Sequence, residues 1–161
     1  MYLPGGIINI PTERTDDYGA WSSFAGQFCP GWHPLDPDFP MEEARRQVER
    51  YKRVSPLLSG DFYPLTPASL HQAWIAYQFH RPDLARGLAL IFRRPDTESA
   101  VFPVSNTLHI QLRGLNPRAK YRVHTEHGGR TQKLSGSALG RGLDVVLSQP
   151  RSAEMIEYVK E

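Results

Sequence analysis

Cysteine is almost missing from this chain: Cys29 is alone among 161 residues. One thiol closes no intramolecular disulfide and builds no cysteine-based zinc cage, which leaves a reducing, cytoplasmic location as the expectation. Long apolar runs are missing too, and none approaches the ~18 residues of a membrane helix. The opening residues, Met1-Tyr-Leu-Pro-Gly-Gly6, carry neither a basic region nor an apolar stretch, so no signal peptide is expected. A surplus of one charge sign is missing as well. The formal net charge is +2, and residues 59–161 hold nine acids against thirteen bases. That excess is too thin for a surface that tracks phosphates, which argues against a nucleic-acid partner.

Several catalytic signatures are also absent. No Gly-x-Ser-x-Gly elbow occurs, and Gly136, Gly140 and Gly142 form neither a dinucleotide fingerprint nor a P-loop. Cys29 has His33 four residues on, but a small, packed side chain is the simpler role for a lone thiol. Asp16-Asp17 and Asp36/Asp38 are paired carboxylates in turn-rich sequence, where capping is their ordinary use. His124 and Glu126 share a strand face and His109 lies on another strand, a conceivable metal set. The same pattern fits exposed positions of half-buried strands, so no metal and no cofactor is expected.

What is present divides the chain. Residues 1–40 hold six prolines and five glycines, with five acids against Arg14 alone. They show no sustained period, although Ile7, Ile8 and Ile10, or Phe24 to Phe28, could each make a short strand. Residues 41–54 read as a helix: Met41, Ala44, Val48 and Tyr51 draw one apolar stripe. Glu42 and Glu43 in the first turn and Arg50, Lys52 and Arg53 in the last suit the helix dipole, and Pro56 ends it.

From about residue 73 the period changes from 3.6 to 2. Ile75, Tyr77 and Phe79 alternate with Ala76 and Gln78. Leu88–Phe92, Leu108–Leu112, Tyr121–Thr125, Leu143–Leu147 and Met155–Val159 complete the set. Turn signals separate them, Gly128-Gly129 suiting a tight hairpin with positive φ. The fold class expected is mainly β: an antiparallel β-sandwich over residues 59–161, preceded by one amphipathic helix and an irregular segment.

One series of motifs adds a family. Gly60-Asp-Phe-Tyr-Pro-Leu-Thr-Pro67, Ala73-Trp74, Gln78-Phe79, Arg81-Pro82-Asp83, Gly87 and Phe92-Arg93-Arg94-Pro95 come first in order. Leu112-Arg113-Gly114-Leu115-Asn116-Pro117, Tyr121, Val123, Gly142-Leu-Asp-Val-Val146 and Ile156-Glu-Tyr158 follow. Together they resemble the C-terminal region of α-galactosidase-like proteins of glycoside hydrolase family 36, over about residues 40–161. In that family a (β/α)8 barrel carries the chemistry and a β-sandwich follows it.

The resemblance makes residues 1–58 the last βα units of such a barrel, with Gly26–Trp32 its final strand and 41–54 its final helix. The family's catalytic aspartates would lie on earlier strands, so none is assigned to Asp16, Asp17 or Asp61. The implied function is a non-catalytic C-terminal portion of an enzyme that cleaves α-galactosides, with that carbohydrate as partner once the barrel is complete. Barrel sites form at the C-terminal ends of strands. That places Trp32, His33 and Asp36 as the substrate-binding candidates: Trp32 to stack on a sugar, His33 or Asp36 to bind a hydroxyl. The alternative for Trp32 is packing between barrel and sandwich. Two other functions stand beside this one: a free-standing carbohydrate-binding or scaffold sandwich using Trp74, Tyr77 and Tyr63, and a small enzyme built on the 1–40 loops.

Overall fold

A computed structural model of the chain describes residues 13–24, 28–67, 72–95 and 105–161. The isoleucines Ile7, Ile8 and Ile10 lie outside the described residues, as do 25–27 of the expected strands. The chain forms two compact units, Met1–Ser59 and Gly60–Glu161.

The first unit is helical. Helix α1 spans Asp17–Ser22, within a stretch the sequence presents as irregular. Asp16 starts it by accepting a hydrogen bond from the Gly19 amide at 3.0 Å, a cap that stabilises a helix by about 0.5–2 kcal/mol. Helix α2 spans Met41–Val54, the range expected, and a 3-10 turn over Ser55–Leu57 follows at Pro56. Its buried residues are Ala44, Gln47 and Val54, while Met41 is exposed. The buried stripe therefore includes a polar residue and omits its first apolar one.

Gln47 is inside because Trp21 is. The fully buried Trp21 indole donates to Gln47 Oε1 at 3.0 Å, and a buried N–H without an acceptor would cost about 1–3 kcal/mol. The Gln47 amide donates in turn to the Thr15 carbonyl at 3.0 Å and to Asp17 at 2.6 Å. Arg50 pairs with the same Asp17 oxygen at 2.7 Å and lies over the Trp21 ring at 5.4 Å. Of the segment 26–32 expected as a strand, residues 28–32 form only an isolated bridge at Pro30.

The second unit is the sandwich. Strands β1 (Asp61–Pro64), β2 (Trp74–Arg81), β3 (Arg86–Arg93), β5 (Lys120–Thr125), β6 (Arg130–Ser135) and β8 (Ser152–Lys160) form one antiparallel sheet, in the order β1-β2-β3-β8-β5-β6. Strands β4 (Thr107–Ile110) and β7 (Leu143–Val146) form a separate two-stranded ribbon. Helix α3, Gly136–Arg141, links β6 to β7 and is capped by the Ser135 hydroxyl, which accepts from Ala138 N at 3.1 Å. The β5–β6 hairpin turns through 126–129, with Gly129 at φ +54°.

Register settles which residues share a face. Trp74, Ala76, Ala89, Ile91, Val123, Tyr121, Ile156 and Tyr158 lie together on one face of the large sheet. They pack with Ile110 and Val145 of the ribbon, and with Leu112, Leu139 and Leu147. On β2 this inner face is carried by Trp74, Ala76, Gln78 and His80, whereas Ile75 is exposed and Tyr77 and Phe79 are half-buried. The small residues leave room for the second layer. On β3 every residue from Gly87 to Arg93 is buried, the continuous run of a central strand buried on both faces.

Candidate functional site

The loop between α1 and α2 holds the three residues the sequence nominates. Trp32 is half-buried, and its indole N–H donates to the Arg14 carbonyl at 3.3 Å. Its ring meets Phe28 edge-on at 5.5 Å and lies 6.1 Å from Phe39. Phe28 in turn contacts Phe24 and Tyr51 at 5.1 and 5.2 Å, so Trp32 links Phe39 to an aromatic row that reaches Tyr51 of α2. His33 and Asp36 are exposed and belong to one tight turn. The Asp36 amide donates to the His33 carbonyl, and the Asp36 carboxylate accepts from the Asp38 amide, both at 3.0 Å. The structure thus keeps the three close in the chain, with an indole held by packing and a carboxylate already holding its own turn.

Other carboxylates of this unit are similarly engaged. Asp16 caps α1, and Asp17 binds Arg50 and Gln47. Glycoside cleavage needs two carboxyl groups facing each other across the scissile bond. Of the two pairs the sequence offers, Asp16 and Asp17 instead hold a helix cap and an ion pair, and Asp36 accepts from the Asp38 amide within its turn.

The sandwich brings together polar residues that the sequence did not nominate for a site. Gln78 is fully buried, donating to the Arg113 carbonyl at 2.8 Å and to the Tyr158 hydroxyl at 2.6 Å, while its oxygen accepts from Arg113 N at 2.8 Å. His80 Nδ1 lies 3.0 Å from the same hydroxyl. Burial lowers the His80 pKa, partly opposed by the charge of Asp61, and burial raises that of Tyr158. Every member has a partner, so this cluster holds the 113 loop to the sheet. Its signal in the sequence was Gln78 and His80 alternating with Tyr77 and Phe79.

The candidate metal set does not assemble. His109 lies on the ribbon, where Nδ1 faces Asp144 at 2.8 Å and Nε2 faces the Arg141 carbonyl at 3.0 Å. His124 lies on β5 in the other layer, bonded to Thr131 and 4.0 Å from Glu126. Among the described residues no three His, Cys, Asp or Glu side chains could hold a metal ion. Nor is any helix among them long and apolar enough to cross a membrane.

No family profile and no curated protein matches the chain. Solved structures do. The galactosidase domain of an α-galactosidase–sucrose kinase aligns over 97% of this chain and 21% of its own, at a TM-score of 0.68 and 21% identity. A family 36 α-galactosidase of Geobacillus stearothermophilus, solved with raffinose, aligns over 86% of this chain and 18% of its own (TM-score 0.67, 21% identity). The α-galactosidase of Lactobacillus brevis aligns over 88% of this chain and 19% of its own (TM-score 0.69, 17% identity). In fold, the chain is therefore similar to a part of family 36 α-galactosidases that makes up about a fifth of their length.

Proposed function

We propose that this chain is the non-catalytic C-terminal portion of an α-galactosidase-like glycoside hydrolase, its sandwich supporting the barrel that cleaves terminal α-galactosides. The observation that carries the reading is the extent of the likeness. It runs over 97% of this chain, taking in the helical unit as well as the sandwich, yet covers only 21% of the structure it matches. A free-standing sandwich module would match over the second unit alone. In this reading residues 1–58 contribute the last βα units, and Trp32, His33 and Asp36 lie beside the sugar. The partner of the assembled enzyme is carbohydrate. The single Cys29, which needs no oxidising compartment, fits a cytoplasmic location.

The test begins with the genomic sequence immediately upstream of Met1. An open frame encoding barrel strands supports the proposal, and a promoter with its own ribosome site would overturn it. The biochemical counterpart is turnover of an aryl α-galactoside. The purified chain should give none, and the chain joined to that upstream frame should give turnover. Hydrolysis by the chain alone, abolished by a carboxylate substitution within it, would assign the chemistry to these residues instead.

A further inference from the structure

A cleft of about 120 Å3 opens between strand β7 of the ribbon and strands β5, β6 and β8 of the large sheet. Its apolar lining includes Leu143 and Val145, and its polar residues are Thr125, Gln132, Asp144 and Glu154. Glu154 is 8% exposed, a carboxylate more than nine-tenths buried. One oxygen, Oε1, accepts from the amides of Met155 at 2.8 Å and His127 at 3.2 Å. Among the described residues no hydrogen bond engages Oε2 or the Gln132 amide. Arg93 Nε is the one enclosed side-chain polar atom without a partner among those residues. Glu154 lines the cleft, and its Oε2 is the carboxylate oxygen that the described residues leave without a hydrogen bond.

We propose that this cleft is a binding site for a neutral polyhydroxylated ligand, the edge of a sugar ring or a small polyol. A carboxylate fixed through one oxygen by backbone amides presents its other oxygen as a preorganised acceptor for hydroxyl groups, and hydrogen bonds to charged acceptors are about twice as strong as neutral ones. The Gln132 amide supplies a donor and an acceptor together, as a hydroxyl needs. The C–H face of the ligand meets the apolar lining at Leu143 and Val145. A metal ion would need more anionic oxygens than converge here, for Asp144 already faces His109. A cleft of about 120 Å3 admits a ring edge and leaves the remainder of a sugar outside. The site stands apart from the proposed hydrolase: either can hold without the other.

The test is amide NMR titration of the 161-residue chain with D-galactose and, separately, with glycerol, with calcium chloride as the competing probe. Saturable shifts at Thr125, Gln132, Asp144 and Glu154 are expected with at least one of the two polyols. Glu154→Gln keeps an oxygen for the two backbone amides but replaces the free one with an NH2 group. Gln132→Ala alters only the half-buried wall. Each should weaken binding tenfold or more while leaving the rest of the spectrum in place. Linear, unsaturable shifts, shifts away from the cleft, full affinity in Gln132→Ala, or a response to calcium alone would each overturn the proposal.

Discussion

Arg93 reaches across the sandwich to Leu147: its Nη1 donates to the Leu147 carbonyl at 2.8 Å and, with the same nitrogen, to Asn106 Oδ1 at 2.5 Å. Leu147 N donates to the Asn106 carbonyl at 2.9 Å, so one guanidinium on β3 pins both strands of the ribbon where they leave it. The side chain is 6% exposed. Hydrogen bonds from a charged donor contribute about 1.5–3 kcal/mol, and their loss here strands the Leu147 carbonyl, the acceptor of the buried bond. Arg93→Ala should therefore lower stability by about 2–4 kcal/mol, read as thermal or urea unfolding of the chain. A change under about 0.5 kcal/mol would show that the ribbon is held by apolar packing alone.

Gly87 on β3 faces Tyr158 on β8 in register. A Cβ at Gly87 would stand 2.0 Å from the Tyr158 hydroxyl and 2.7 Å from the Phe79 carbonyl, against side chain and backbone at once. The hydroxyl cannot yield without breaking its bonds to Gln78 and His80. Gly87→Ala should cost about 3 kcal/mol or more, the range of overpacking plus a broken buried network. Wild-type-like unfolding of this variant would mean that β3 and β8 lie further apart than described.

Two histidines should act on stability in opposite directions with pH. The His109 pKa is raised, first by its bond to the Asp144 side chain and then by the Arg141 carbonyl. Both ring nitrogens face acceptors, so only the imidazolium satisfies both. A folded pKa above the unfolded 6.5 gives a contribution fully present below pH 6.5 and lost as pH rises through the folded value. His80 is the reverse. Its pKa is lowered by burial, so its contribution is full above pH 6.5 and is lost as pH falls through its folded pKa. Unfolding from pH 4.5 to 8.5 should show His109→Gln losing its penalty on the alkaline side. In His80→Gln the acid limb should flatten. Parallel stability curves for the two variants would refute both assignments.

The elements legible in the sequence were those whose signal is local. Helix α2 showed its stripe and its end charges within fourteen residues, and β2 showed its alternation within eight. Which face turned inward was not local. On β2 the inner face went to Ala76, Gln78 and His80, because the ribbon packs there and Tyr158 supplies the partner for two polar side chains. Gln47 was hidden for the same reason, since the indole that requires it, Trp21, is 26 residues away. Strand β6 reads as polar and only its hairpin glycines betrayed it, while α1 is too short for a period. Trp32, His33 and Asp36 were nominated from family likeness, but the Arg14 carbonyl that binds the indole lies 18 residues upstream and has no side-chain signature.

Trp32 tests the proposed site and its packing alternative together. Its ring is wedged between Phe28 and Phe39 and its N–H is bonded, so part of its surface already serves the fold. For a half-buried aromatic, Trp32→Ala should cost about 1–2 kcal/mol in the chain itself, near the lower part of the range for core truncation. Trp32→Phe retains most of the ring contacts and loses the bond to Arg14, so it should recover more than half of that loss. In the complete enzyme proposed above, the two roles separate kinetically. If the exposed part of the indole stacks on sugar, Trp32→Ala should raise KM several-fold while Phe28→Ala, equally damaging to the aromatic row, leaves KM unchanged. Equal kinetics in both variants, with equal losses in Tm, would assign Trp32 to packing and remove the loop from the substrate site.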